Sequence, residues 1–369
     1  MKYSRFIIFF LLLDSCVSPY DINSSQYHQS IVVEGMITDQ PGPHVVKISK
    51  AVQIRDQVLK TEWVTGATVI IKDDIGNSET LVEKSSGNYY ASTIQGMIGR
   101  SYSLVISTKS GESYESSRER LLPVGDFTDL RAEFQMNQET NYLDQVKSRN
   151  GFKIFLNSEV LPSQESRVWW RWTGTFEILT YPQFRTRPVP NRSGLTVLVP
   201  DPVPCSGFIN RSGALVQASP CTCCICWVTQ YNQIPEISDP RFINNGRIDN
   251  QYIGFIETNV RTFYDKYYLE VEQLSVSQAV YDFWKKVKIQ KENSSNLFQT
   301  PPPKTSGNIT ALSADATPVI GYFSASSVVK HSIVLKREDV PYHLNPIDTL
   351  AISCTDAYKF SSTSKPTFW

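Results

Sequence analysis

The stretch GATVIIKDDIGNSETLVEKSSGNYYAST, residues 66–93, decides the architecture. GATVIIKDD (66–74) is rich in β-branched residues and reads as a strand. Asp74-Ile75-Gly76-Asn77 reads as the turn that ends it, since Asp, Gly and Asn supply turn geometry. SETLVEK and GNYYAST follow at short spacing, with Gly at the breaks. Working outward, IVVEGMIT (31–38) alternates apolar and polar residues in part, and HVVKISKAV (44–52) follows a Pro-Gly-Pro turn. RSYSLVIST (100–108) and ESYESS (112–117) continue the series. Short strands at about 8–12-residue spacing argue a sandwich or barrel. Leu121-Leu122-Pro123-Val124 closes the unit as an extended boundary, because Pro123 disfavours helix in the residue ahead of it. Residues 30–122 are therefore expected to form one small β-sandwich.

Residues 123–350 are expected to form a larger β-rich domain with one amphipathic helix. FKIFLNS (152–158), SRVWWRWTGTFEIL (166–179), QYIGFIET (251–258) and YYLEVEQLS (267–275) are its clearest strands. Side chains alternate across a strand, so Trp170 and Trp172 share one face and Trp169 takes the other. They read as a core strand with one edge aromatic; the sharper alternative is an aromatic platform for sugar or peptide. The helix is expected over 275–291, opening on a capping box at Ser275-Val276-Ser277-Gln278. Val276, Val280, Phe283, Trp284 and Val287 fall on one face, with Asp282, Lys285, Lys286 and Lys288 largely elsewhere. Core packing explains that face, with a membrane-surface role for the basic side as the alternative. Pro301-Pro302-Pro303 reads as a stiff polyproline-like segment, and 351–369 as a loose C-terminal tail.

The composition sets limits. Apolar content of 41% suffices for packed cores, and the many aromatic and β-branched residues favour strands. Lys+Arg and Asp+Glu are 36 each, so nothing suggests the basic face that nucleic-acid binding requires.

The N-terminus supplies an address. MKYSRFIIFFLLLDSC has Lys2 and Arg5 ahead of an apolar run, Phe6 to Leu13, too short for the roughly 20 residues of a spanning helix. It reads as a cleaved signal peptide, residues 1–15. Leu13-Asp14-Ser15-Cys16 resembles the bacterial lipobox, although Asp14 stands where an uncharged residue is usual. Cys16 is then the lipidated first residue of the mature chain and its expected membrane attachment, with 16–29 as tether.

Six further cysteines follow: Cys205, Cys221, Cys223, Cys224, Cys226 and Cys354. An even number in an exported protein reads as disulfides. Cys205 pairing within the cluster and Cys354 reaching back to it fit that reading, with connectivity open. Thiolates binding zinc or copper(I) are the alternative, although structural zinc sites space their ligands more widely. Pro182 to Pro220 is long and Pro/Ser/Gly-rich, and is stabilised by staples because they restrict the unfolded chain. No catalytic frame emerges. His28, His44, His331 and His343 are isolated, His44 in a turn, and neither a phosphate loop nor a nucleophile elbow is present. Glu177, Asp201, Asp239 and Asp249 are the carboxylates a glycosidase would need to pair. Asp73-Asp74 with Asn77 suggests either calcium or ordinary turn chemistry. No catalytic residue, metal or cofactor is assigned.

The pattern at 66–90 is similar to the immunoglobulin-like or transthyretin-like modules of bacterial surface proteins. More broadly, IVVEGMIT, GATVIIKDD…GNSETL, GMIGRSYSLVI, SVSQAVYDFWKKVK, LFQTPPPKTSGNI and VIGYFSAS, in that order, resemble the DUF4249 lipoproteins of Bacteroidota over about residues 16–340. The resemblance implies an outer-membrane lipoprotein, a companion of TonB-dependent receptors, and brings no catalytic residue set. The expected function is non-enzymatic binding beside such a receptor. A surface glycan hydrolase, or a thiolate metal-binding protein, is the alternative.

Overall fold

The computed structural model describes residues 30–51, 61–136, 138–140, 146–161, 167–293 and 307–369. The expected signal peptide, Cys16, the tether with His28, and Pro301–Pro303 lie outside the described residues. The protein is mainly β, and none of the sheets among the described residues closes into a barrel.

Two sheets form the first sandwich. One runs Val319–Ser326, Ile31–Thr38, His44–Lys50, Asn88–Ala91, Val82–Ser85; the other Ile309–Ala311, Ser113–Ser116, Ser101–Ser107, Thr68–Asp73, Ser78–Thr80. The alternation read in the sequence is what joins them. Val33 and Ile37 of the first sheet, and Val69 and Ile71 of the second, point into one core with Ile48, Leu104 and Tyr114. Two of these strands come from far along the chain. Ile309–Ala311 pairs with Ser113–Ser116, and Val319–Ser326 lies parallel to Ile31–Thr38. The sequence reading placed both in the 123–350 domain. Periodicity marks a strand but does not name its partner.

The second sandwich pairs a three-stranded sheet (Phe127–Gln135, Gly151–Glu159, Arg247–Glu257) with a wider one. The wider sheet runs Val328–Lys336, Lys266–Val276, Arg167–Leu179, Ile225–Tyr231, Ser361–Ser362. Phe152, Ile154 and Ile256 from one sheet meet Trp170, Phe176 and Leu269 from the other. Gly174 is required here: a Cβ would sit 1.7 Å from the Tyr267 hydroxyl, which crosses the strand to donate to Gln230 Oε1 at 3.0 Å.

One segment sews the sandwiches together. Val319–Ser326 belongs to the first and Val328–Lys336 to the second, with Ser327 between. The crossing is sealed by hydrogen bonds: Ser327 N–H donates to Ser275 Oγ at 2.9 Å, and Val328 N–H to Asp39 Oδ1 at 3.0 Å. Glu119, almost wholly buried beside it, accepts from Tyr322 Oη (2.6 Å), Ser277 Oγ (2.8 Å) and Asn308 Nδ2 (3.1 Å). Burial pushes its carboxyl up despite those three donors.

Two further expectations need correction. The helix is Gln278–Asn293, not 275–291, because Ser275 and Val276 remain paired with Val168 and Arg167 in the sheet. Ser277 is its cap, accepting from Val280 N–H at 3.2 Å. The C-terminal segment is packed rather than loose. Ser361–Ser362 pairs with the Ile225–Tyr231 strand, and the Phe368 ring stacks on Tyr268 at 4.2 Å.

Candidate functional site

The strand Arg167–Leu179 presents a different environment on each face. Trp170 and Trp172 enter the second core: Trp170 Nε1 donates to Gln273 Oε1 at 2.7 Å, and Trp172 Nε1 to the Ile253 carbonyl at 3.1 Å. Gln273 in turn donates to Gly125 O at 2.7 Å, so the buried polar atoms are matched. Trp169, on the other face, packs on helix residue Trp284, ring centroids 4.7 Å apart. With at most 8% exposure, none of the three forms an open platform.

Beyond Trp169 a cleft of about 340 Å³ separates the sandwiches. Glu34, His44 and Lys47 line it from the first, and Trp169, Arg171 and Lys330 from the second. Burial alone would raise the Glu272 carboxyl, but Arg171 and Lys330 outweigh it and hold it low. Lys330 Nζ lies 2.5 Å from Glu272 Oε1, and Arg171 pairs with the other oxygen. The sequence suggests that His44 is exposed in a turn; it is instead buried at the start of a strand, and burial holds its imidazole below its ordinary value. Its Nε2 and the Trp169 Nε1 are buried without a hydrogen-bond partner among the described residues.

A wider groove of about 660 Å³ opens on the second sandwich. Tyr231 (53% exposed), Phe360 (56%) and Tyr252 (38%) present aromatic surface there, with Tyr231 and Phe360 edge to face at 5.5 Å. Arg149 lies over Phe255, 5.4 Å from its centroid, and pairs with Glu257 at 3.3 Å. Asn232 braces the wall: Oδ1 accepts from Trp172 N–H at 3.2 Å and Nδ2 donates to Ile234 O at 3.0 Å. The size suits a small ligand, and aromatic faces with polar neighbours suit stacking against a sugar ring or a peptide side chain.

Between Leu179 and Ile225 the chain leaves the sheet as an arm of two hairpins, Thr186–Pro190 with Thr196–Pro200 and Phe208–Arg211 with Ala214–Gln217. Cys205 bonds to Cys223 and Cys221 to Cys224, fixing the arm's return to the sheet. Cys226 bonds to Cys354, tying the C-terminal segment to the core. All six sulfurs are consumed, which removes the thiolate metal reading. Gly207 permits the arm's tight fold: its φ is +75°, and a Cβ would meet Ser219 O at 2.0 Å.

The other sequence candidates are dispersed. Asp201 pairs with Arg185 at 2.9 Å, Asp239 with Arg241, and Asp249 with Arg247 at 3.8 Å. Glu177, Asp239 and Asp249 line none of these cavities, while Asp201 lines a third, between the hairpins. Asp73 accepts from Ile75 N–H, Asn77 N–H and Arg100, which is turn chemistry. Among the described residues no three His, Cys, Asp or Glu side chains are placed to hold a metal. His331 hydrogen-bonds Asp126 at 2.8 Å at the surface. Nothing local in the sequence marks the groove aromatics Tyr231, Tyr252 and Phe360, because an exposed aromatic is not distinguished there from a buried one.

The molecule is thus a two-sandwich β protein with a cystine-braced arm and an open aromatic groove. The chain belongs to the DUF4249 family, described as a domain of unknown function, whose model matches residues 17–332. No curated protein matches it, and neither does any solved structure.

Proposed function

We propose that the protein is a non-enzymatic binding component, lipid-anchored through Cys16 in the outer membrane and working beside a TonB-dependent receptor. The observation that carries the binding role is the groove, where Tyr231, Tyr252 and Phe360 hold aromatic surface open to solvent. Exposed rings cost hydration without contributing to the core, so their clustering is explained by a ligand that covers them. The address rests on the leader MKYSRFIIFFLLLDSC and its lipobox-like end. No helix among the described residues is long and apolar enough to cross a membrane.

Purification of the intact protein from mildly solubilised outer membranes tests the companion role. A TonB-dependent receptor is expected in stoichiometric yield; recovery of the protein alone would sink it. Replacing Tyr231 and Phe360 with Ala tests the groove, and is expected to abolish whatever ligand co-purifies.

A further inference from the structure

The two hairpins of the arm end in the same tetrapeptide, Asn191-Arg192-Ser193-Gly194 and Asn210-Arg211-Ser212-Gly213. The turns that use it differ. In the first, Asn191 Oδ1 accepts from Ser193 and Leu195 N–H at 3.0 and 2.9 Å, and Gly194 takes φ +79° in a three-residue loop. In the second, Asn210 Oδ1 accepts from Gly213 N–H at 2.9 Å, and Ser212 and Gly213 form a two-residue turn with both φ positive. Two turn geometries built from one sequence still share a result: each tip projects an exposed arginine, Arg192 or Arg211. Neither has an ion-pair partner among the described residues.

The surroundings sharpen this. Residues 181–224 carry four arginines, no lysine and one carboxylate, Asp201, which already pairs with Arg185. Beside the tips, Leu195 and Leu198 are 67% and 69% exposed, and Val197, Ile209 and Val216 are open as well. The hairpins stand side by side, Asn210 Nδ2 donating to Pro200 O at 2.8 Å across a depression of about 500 Å³. An isolated two-stranded hairpin is marginal in water, yet two are held here, braced by Cys205–Cys223 and Cys221–Cys224, with their apolar side chains uncovered.

We propose that this arm is the docking surface for a protein partner whose face sets carboxylates beside apolar side chains, Arg192 and Arg211 each taking a carboxylate. The inference rests on the companion role above. Charge complementarity sets the sign of the partner. The arginine fork grips carboxylates bidentately, as lysine does not, and arginine set among apolar contacts is the composition of interface hot spots. A lipid surface fits less well, because residues 181–224 contain no Trp and a single Tyr, Tyr181 at the arm's base, and these are the side chains that lipid interfaces draw.

The test places a photo-crosslinking residue at Leu198 or Ile209 of the full-length, lipidated protein in its own membranes. The expected crosslinks map to an acidic, partly apolar face of the co-purifying partner. Arg192→Glu with Arg211→Glu should cut their yield on the order of 30-fold, the scale of a lost hot spot. Reversing the mapped carboxylates to Arg should restore it. Both arginines are exposed, so the melting temperature of the double variant should match the parent, and a Lys pair at the same positions should retain only part of the yield. A partner that co-purifies equally well with the charge-reversed arm overturns this surface and leaves the companion role standing. Absence of any partner overturns both. Arginine-dependent sedimentation with phosphatidylglycerol vesicles, with no protein crosslink, overturns the protein partner in favour of lipid.

Discussion

The two sandwiches secure their loops by different chemistry. In the first, carboxylates accept backbone N–H groups. Glu79 takes those of Ser92, Thr93 and Ile94 at 2.6–2.9 Å, Glu83 those of Gly66 and Gly87, and Glu112 that of Thr317 with its hydroxyl. In the second, three disulfides hold the arm and the C-terminal segment. A short loop can be closed by one well-placed acceptor, which satisfies several orphan donors at once. The 45-residue excursion from 180 to 224 has little apolar content to bury and needs covalent restraint. Acid should therefore loosen the loops of the first sandwich, whereas reductant should act on the second alone.

The largest expected effect is on the second. Cys226→Ser with Cys354→Ser opens a link between residues 128 apart and should cost about 4 kcal/mol, read as a lowered denaturation midpoint. Cys221→Ser with Cys224→Ser spans a separation of three and should loosen the arm with much less loss of global stability. Equal losses from both pairs would break the comparison. Next comes the junction: Glu119→Ala strands three donors, and should destabilise by about 2–3 kcal/mol, measured by chemical denaturation.

Acid should act on the other half. Hydrogen bonds from the Thr317 hydroxyl and N–H, with Ser110, hold Glu112 down from its ordinary 4.5 to about 2. Glu83, bonded by Gly66 and Gly87, and Glu79 are lowered as well, Glu79 against its own burial. A depressed folded value means the stabilisation is complete above pH 4.5 and is lost as pH falls toward 2. Hydrogen exchange should show the amides those carboxylates hold, at Gly66, Gly87, Ser92 to Ile94 and Thr317, opening across that window while the disulfide-held arm stays protected. Exchange that rises first in the arm would contradict this. The smallest effect on stability is expected from Tyr231→Ala and Phe360→Ala. Exposed as they are, each should change it by less than about 0.5 kcal/mol while weakening ligand binding.

The sequence carried some of this structure plainly. Alternation at Val69 and Ile71 announces the first sandwich, and the odd-even placement of Trp169 against Trp170 and Trp172 announces which rings share a core. The cysteine cluster announces disulfides with Cys205 and Cys354 as candidate partners, but its connectivity, including Cys221 to Cys224 within the cluster, is legible only in the structure. What it withheld depends on distant pairing. Nothing near Val319–Ser326 says that it lies parallel to Ile31–Thr38, and nothing near Phe360 says that it meets Tyr231 at a groove. The helix start was misplaced by three residues because Ser275 and Ser277 are both competent caps, and only sheet pairing with Val168 removes the first. The arm's signal was legible: Asn-Arg-Ser-Gly occurs twice within 23 residues, 191–213, and a search for repeats finds it.

The central claim is that the second sandwich, with its groove and arm, is the half that meets partners. Crosslinking the native protein in its own membranes, followed by mass spectrometry of the linked peptides, tests this most directly. The account predicts a dominant TonB-dependent receptor, linked through residues around the groove such as Lys359. Links confined to the first sandwich, or capture of no consistent partner, would contradict it.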